Sequence, residues 1–443
     1  MVNYFNSRWE LRPLAECLEF ISRGVAPKYV SKSDIAALNQ KAIRWGFIEE
    51  RHLKYHDSNK KIKDDLFIRK GDIVVNSTGD ITIGRAYYFK KGWPRLFADS
   101  HVTILRLNRN ILLPEFCTYL FPTQEYQTKI YGLVTGTTGQ LELSKSNLCK
   151  LEMIVPPLPI QQKISTILSA YDDPIENNLR RIKILEEMAQ TLYREWFVKF
   201  RFPGHQKIKM VDSPLGKIPG GWEVKPLESL ISEHIGGGWG KEEPDGTHTE
   251  PAFVVRGTDI PEARRCTISN VPYRYHTLSN LRPRQLTAGD IIFEVSGGSK
   301  GQPLGRTLYI SSELLSAFGG ERVICASFCK RIKPDVRLYA SEILYLSFLE
   351  AYDSGEIEQF QVQSTGISNF KWTEYIQQTQ RGIPPDALQA RFRELVDPLF
   401  SQIATLGLKN RNLRQTRDLL LPKLISGELD VSELDITIPE ANA

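Results

Sequence analysis

Basic, amide and hydroxyl side chains collect in two stretches of this chain. The first holds Arg44, Arg51, Lys54, Asn59, Lys60 and Lys61 in one polar loop, then Ser77, Thr78 and Arg85 beyond Gly71-Asp72-Ile73. The second holds Arg256, Arg264 and Arg265, then Ser296, Lys300 and Arg306 beyond Gly289-Asp290-Ile291. Arg and Lys suit the acceptor edge of guanine and Asn suits adenine, while hydroxyls and backbone amides hold phosphates. In combination these types point to contact with nucleic acid. Thr138-Gly139 and Thr365-Gly366 lie in later loops of small polar residues, where glycine either makes a tight turn or lets backbone approach a phosphate closely. Most surface cations contact nothing, so the expectation attaches to the two sets and not to any one member.

Other chemistries lack their residues. An adenine methyltransferase needs Asn/Asp-Pro-Pro-aromatic, and the chain offers only Val155-Pro156-Pro157-Leu158 and Ile383-Pro384-Pro385-Asp386. A nucleotide-driven motor needs Gly-x-x-x-x-Gly-Lys-Ser/Thr, a spacing that Gly297-Gly298-Ser299-Lys300-Gly301 does not meet. Asp290 and Glu294 could be imagined as a nuclease metal pair, but Asp72, in the same Gly-Asp-Ile context, has Asn76 at that spacing. The six cysteines lie far apart, and Cys325 and Cys329, the one close pair, lack two further zinc ligands. The seven histidines form no spaced set. The expectation is no catalytic residue, no metal and no disulfide framework.

The residues that position these side chains are organised over 443 positions, too many for one ordinary core, which predicts two or three domains. With 41% hydrophobic and 25% charged residues the composition is globular. No run approaches the roughly 20 apolar residues of a membrane span, and Met1 to Arg12 has no signal-peptide core, so a cytoplasmic protein is expected. Residues 1–158 carry 23 Lys and Arg against 16 Asp and Glu, whereas residues 204–385 carry 20 against 21. The basic surplus therefore sits in the first half, with a local cluster at Arg256, Arg264, Arg265, Arg274, Arg282 and Arg284 in the second.

The chain is written twice. Trp9-Glu10-Leu11-Arg12-Pro13-Leu14 returns as Trp222-Glu223-Val224-Lys225-Pro226-Leu227, Gly71-Asp72-Ile73 as Gly289-Asp290-Ile291, and Ile83-Gly84-Arg85 as Leu304-Gly305-Arg306. Thr138-Gly139, Pro156-Pro157 and Asp173-Pro174 return in the same order as Thr365-Gly366, Pro384-Pro385 and Asp397-Pro398. Such register marks a duplicated unit with small loop insertions. Each copy begins with short β-rich runs between Gly, Asn, Ser and Pro turn signals, a mixed α/β pattern. Each ends in helical periodicity: Ile164, Leu168, Tyr171, Ile175, Ile182, Leu185, Leu192 and Trp196 in the first, Phe392 through Leu420 in the second, where Gly407 weakens the pattern. Pro174 and Pro398 are expected to kink or restart these helices, with Asp172-Asp173 and Asp397 as N-caps.

A helix of about 38 residues spans roughly 57 Å, far more than one core needs. Two such helices paired along their apolar stripes run antiparallel given the order domain, helix, domain, helix, and hold the two domains apart with approximate two-fold symmetry. Two-fold readers of DNA bind half-sites about 34–36 Å apart.

This order resembles the specificity subunits of Type I restriction-modification enzymes. The local matches are Pro156-Pro157-Leu158-Pro159-Ile160-Gln161-Gln162, Glu195-Trp196-Phe197-Val198-Lys199-Phe200 and Leu420-Leu421-Pro422-Lys423-Leu424-Ile425-Ser426-Gly427-Glu428-Leu429. The resemblance implies an α/β fold class with two repeated mixed α/β target-recognition domains, residues 1–158 and 204–385. They would be separated by two long antiparallel coiled-coil helices, residues 159–203 and 386–443 with the C-terminal tail, in a pseudo-two-fold arrangement. It implies a DNA sequence-specificity subunit that binds a bipartite target in double-stranded DNA and recruits two adenine methyltransferase subunits, and motor/nuclease subunits where these exist. S-adenosylmethionine, ATP and magnesium would then belong to the partner subunits, with no cofactor in this chain. Trp196, Phe197 and Phe200, with Leu420 and Leu421, would either anchor the methyltransferase or lock the two helices together. A stand-alone DNA-binding nuclease and a coiled-coil adaptor are the readings from other classes.

Overall fold

The computed structural model describes residues 9–137, 141–297, 303–363 and 368–437. It divides into two compact units, residues 1–173 with 415–443, and residues 174–414.

In the first unit, Ile73-Val74-Val75 is a β-branched run with every residue buried, the pattern of a central strand. The sheet order is Leu18–Arg23, Val102–Leu107, Ile73–Asn76, Ala86–Tyr88, all neighbours antiparallel, with Ile73 opposite both Leu105 and Tyr88. Gly71 before it takes a φ of +95°, a turn that only glycine adopts without strain. Asp72 closes the turn by accepting from the Arg69 amide at 2.8 Å, and it is bonded by Arg106 at 2.9 Å in a buried ion pair. A second sheet is ordered Leu96–Ala98, Ala36–Leu38, Lys54–His56, Tyr29–Val30, its first pair parallel and the others antiparallel. Glu10–Pro13 pairs with Glu152–Val155 and so brings the ends of this domain together.

The second unit repeats the scheme. Its main sheet is ordered Ile231–Gly236, Cys329–Pro334, Ile291–Glu294, Thr307–Tyr309. Val323–Cys325, Glu250–Val255 and Tyr273–His276 form the second sheet with the same parallel and antiparallel steps, and Glu223–Pro226 pairs with Gln380–Ile383. Asp290 accepts from the Thr287 amide at 2.8 Å and from Arg331 at 2.9 Å, the counterpart of Asp72 with Arg106. The two aspartates are therefore structural.

Two long helices run Leu158–Tyr193 and Asp386–Ser426, and the division between units falls inside both. The first ends in a single π turn, Arg194–Val198. Each is fixed to its domain by one buried glutamine just past the paired prolines. Gln161 accepts from the Leu113 amide (2.8 Å) and donates to the carbonyls of Ile111 (2.9 Å) and Pro156 (2.7 Å). Gln389 accepts from the Ala340 amide (2.9 Å) and donates to Leu338 (3.0 Å) and Pro384 (3.1 Å).

Within each unit the helix segments pack antiparallel. In the first, Ile164 and Leu168 share a core with Leu424 and Ile425, and Arg417 donates to Asp172 at 2.6 Å. In the second, Asn178 donates to Asn410 at 2.8 Å, Ile182 packs with Ile403 and Leu406, and the rings of Trp196 and Phe392 lie 5.4 Å apart.

Two expectations about these helices are corrected and a third is narrowed. Both are continuous through Pro174 and Pro398, so of the two alternatives, a kink or a restart, the restart is excluded. Asp172 and Asp173 do not cap a helix: Asp172 accepts from Tyr119 (2.8 Å) as well as Arg417, and Asp173 pairs with Lys90 at 2.7 Å. Gly407 does not interrupt the second helix but lets the 264–266 loop press against it. A β-carbon at 407 would lie 2.7 Å from the Arg265 carbonyl carbon and closer still to its oxygen.

Candidate nucleic-acid interface

In the first unit the loop after Ile73–Asn76 is held from beneath. Ser77, expected to meet DNA, is fully buried and its hydroxyl is bonded to Thr103 at 2.6 Å, because its side chain faces the sheet. Thr78 donates to Gln40 at 2.7 Å and lies 2.9 Å from Nδ1 of the exposed His101. Arg85 opens the next strand, half-buried. The short strand Ile43–Arg44 packs against Ala86–Tyr88 and brings Arg44 beside Arg85. Burial pushes the Arg85 pKa down, and the like charge of Arg44 adds to this. Arg44 is paired with Glu49 at 2.8 Å, which also binds Arg51.

Lys54, Lys60 and Lys61 are exposed on the second sheet and the turn after it. Beside them stand two exposed aromatic rings, Tyr29 and Tyr55, on adjacent strands. Residue type alone does not single these rings out. Repetition would have found one of them, since Lys54-Tyr55-His56 returns as Arg274-Tyr275-His276 on the matching strand. There the Arg274 guanidinium sits 4.6 Å over the exposed Trp239 ring and pairs with Glu242 at 2.7 Å.

The second unit uses several of its candidate arginines internally. Arg256 clasps Asp259 through two bonds of 2.9 and 2.8 Å. Arg264 points inward, donating twice to the Thr307 carbonyl (2.9 and 2.7 Å), and lines a cavity of about 90 Å³ with Glu186, Tyr309, Tyr345 and Phe400. Burial raises the Glu186 pKa, opposed by Arg265 and Arg264. The backbone of Arg265 is the part pressed on Gly407. Arg306 forms a buried bidentate pair with Glu294. Ser296 donates to Asn369 at 2.6 Å. The Arg264 and Arg306 guanidiniums thus have internal partners, a use that residue type and loop position did not reveal. Lys300, Thr138, Gly139, Thr365 and Gly366 lie outside the described residues.

The aromatic cluster at the end of the first helix is core. Trp196 and Phe197 are 4% and 8% exposed, and Phe197 packs edge-on against Phe392 at 4.7 Å. Phe200, with φ +57°, sets its ring 5.3 Å from Trp222. Of the two alternatives for this cluster, its packing is that of a lock between helix ends and domain, and a buried ring cannot also be a free anchor. Leu420 and Leu421 are partly buried against the core of the first unit, while Leu419 is 72% exposed.

Among the described residues no group of three or more His, Cys, Asp or Glu is placed to hold a metal ion. The six cysteines are free thiols, and burial pushes Cys17 up to about 11 and Cys325 to about 12. No described helix is long and apolar enough to cross a membrane.

Residues 6–187 match the family described as Type I restriction modification DNA specificity domain. The chain is 29% identical over 340 residues to the Type I restriction enzyme MjaIX specificity subunit of Methanocaldococcus jannaschii, covering 74% of this chain and 72% of that one. It is 22% identical over 418 residues to the Type I restriction enzyme HindI specificity subunit of Haemophilus influenzae, covering 82% and 87%. In fold it is similar to the crystal structure of a Type I restriction-modification system S subunit from M. genitalium, with a TM-score of 0.55 at 15% identity over 96% of this chain and 99% of that one.

Proposed function

From the premise that the chain belongs to the specificity subunits of Type I restriction enzymes, we propose that it reads a bipartite target in double-stranded DNA and carries no catalytic centre of its own. One observation carries this reading: two units with the same two-sheet topology, each holding an antiparallel pair of helix segments. Two like readers on paired helices contact two separated half-sites, and the sequence between them is passed over. Residues 1–158 and 204–385 are the target-recognition domains in this reading, and the long helices form a pseudo-two-fold antiparallel coiled coil that sets their spacing.

The DNA-facing set in the first domain is Arg44, Arg51, Lys54, Lys60, Lys61, Thr78 and Arg85, to which the exposed Tyr29 and Tyr55 are added. In the second it includes Arg274 with Trp239, and Ser296. Ser77 is left out because it is fully buried, and Arg256, Arg264 and Arg306 because each guanidinium is bonded twice to a single acceptor residue of the unit, Asp259, Thr307 and Glu294. Two adenine methyltransferase subunits dock on the helices and bring S-adenosylmethionine, and restriction subunits bring ATP and magnesium. Trp196 and Phe197 act in this only by holding the helix ends in place.

A footprint of the purified chain with its methyltransferase subunits tests the reading. Two protected patches flanking an indifferent gap are expected. A single patch in the same assay contradicts it, cleavage by the chain alone favours a nuclease, and no protection favours an adaptor.

A further inference from the structure

The two units place an arginine at the same point and treat it oppositely. In the first, the Asn76 amide donates to the Arg85 carbonyl at 2.8 Å; in the second, the Glu294 amide donates to the Arg306 carbonyl at 2.9 Å. The residues are thus matched cross-strand neighbours. Glu294, 2% exposed, clasps the Arg306 guanidinium through both of its oxygens. Asn76 cannot do this. Its Nδ2 donates to the Gln40 carbonyl at 3.1 Å, and its fully buried Oδ1 has no partner among the described residues. The Arg85 guanidinium makes no ion pair among the described residues, although it is half-buried with Arg44 as its cationic neighbour.

Among the described residues no ion pair neutralises that cation, and the Tyr131 hydroxyl nearby only partly opposes Arg44. Burial weakens hydration of the Arg85 guanidinium, and the neighbouring like charge adds to the local demand for an anion or a strong acceptor. Thr78, on the loop that follows Asn76, is joined to Gln40 and His101 from two other loops in a connected polar edge.

Resting on the reading of this chain as a DNA-reading subunit, we propose that Arg85 supplies a direct DNA contact in the first half-site, and that the residue across the strand, Asn76 or Glu294, decides which of the two matched arginines is free for DNA. The acceptor is either a phosphate oxygen or the O6/N7 edge of a guanine, since both accept the same guanidinium fork. The two recognition domains therefore differ at this point in more than their loops: one presents a cation and the other has neutralised it.

The experiment uses the full chain with its methyltransferase subunits. The methylated motif of the unaltered complex is mapped first, and affinity for a duplex carrying it is measured across a salt series. Arg85→Ala is expected to weaken binding tenfold or more. A phosphate contact lowers the salt slope by about one and leaves the motif intact, whereas a guanine contact relaxes one base of one half-site. Asn76→Glu, which installs the carboxylate of the second unit, is expected to reproduce the loss without removing any cation, and Asn76→Gln, the uncharged control of the same length, is expected to bind more tightly than Asn76→Glu. The second half-site, unchanged in every variant, reports that the chain is folded. Parental affinity, motif and salt slope in Arg85→Ala, or equal behaviour of Asn76→Glu and Asn76→Gln, overturns the proposal. Absence of a two-part motif in the unaltered complex removes the reading beneath it, a failure distinct from either of these.

Discussion

Replacing Gln161 with leucine removes three hydrogen bonds at once while nearly preserving side-chain volume. The Leu113 amide loses its acceptor, and the carbonyls of Ile111 and Pro156 lose their donor, all beside a side chain with no exposed surface. Three bonds at about 1 kcal/mol each, with about 1–3 kcal/mol more for the stranded amide, give a loss of about 4–6 kcal/mol. Burial of the leucine returns about 1.5–3 kcal/mol, leaving a net loss of about 3 kcal/mol. For a unit of roughly 200 residues this lowers the melting temperature by about 6–12 °C. Gln389→Leu strips the same three partners in the second unit, the Ala340 amide and the Leu338 and Pro384 carbonyls, and should cost the same. The double variant should lose the sum to within about 0.5 kcal/mol, the sites sharing no partner. Calorimetry and urea titration of the three variants check this. Either single variant melting within about 1 °C of the parent refutes the claim that these glutamines fasten helix to domain, and strongly unequal losses refute their equivalence.

Gly407→Ala gains about 1 kcal/mol of helix propensity, but the new methyl meets the rigid Arg265 backbone, and overpacking costs about 1–3 kcal/mol; urea denaturation should show a net loss of about 1 kcal/mol, and a stabilised variant contradicts the close approach. Burial lowers the His276 pKa, with Asn280 opposing, so the fold favours the neutral ring. Its contribution is present above the ordinary value of about 6.5 and is lost as pH falls through the lower folded value, so the parent should lose more stability between about pH 7 and pH 5 than His276→Gln. A ring titration midpoint at or above about 6.5 in the folded chain contradicts this.

Residue pattern and repetition reached much of the architecture and little of the site. The returning Gly-Asp-Ile and Pro-Pro runs mark real structural points, a glycine turn closed by a buried aspartate and a helix start held by a buried glutamine. Apolar periodicity located both helices, yet Gly407 misled. Propensity describes an isolated helix, and here neighbouring backbone fills the space a side chain would have taken. The polar run after Gly407 was opaque for a similar reason: Asn410, Arg411 and Arg417 are used by packing partners distant in sequence, Asn178, the Ala317 carbonyl and Asp172. Among candidate contacts, loop position could not separate Arg85 from Arg306, because the difference lies in the residue across the strand. Trp196 and Phe197 have the composition of an interface hot spot, but composition does not say whether the surface they bury belongs to a partner or to Phe392 and Trp222 of the same chain.

Mapping methylated adenines in DNA exposed to the chain assembled with its methyltransferase subunits addresses the central claim directly. Two short specified segments divided by a gap of constant length and no sequence preference are expected, with one modified adenine in each. Methylation confined to one continuous motif, or methylation with the same pattern when this chain is left out, would contradict it.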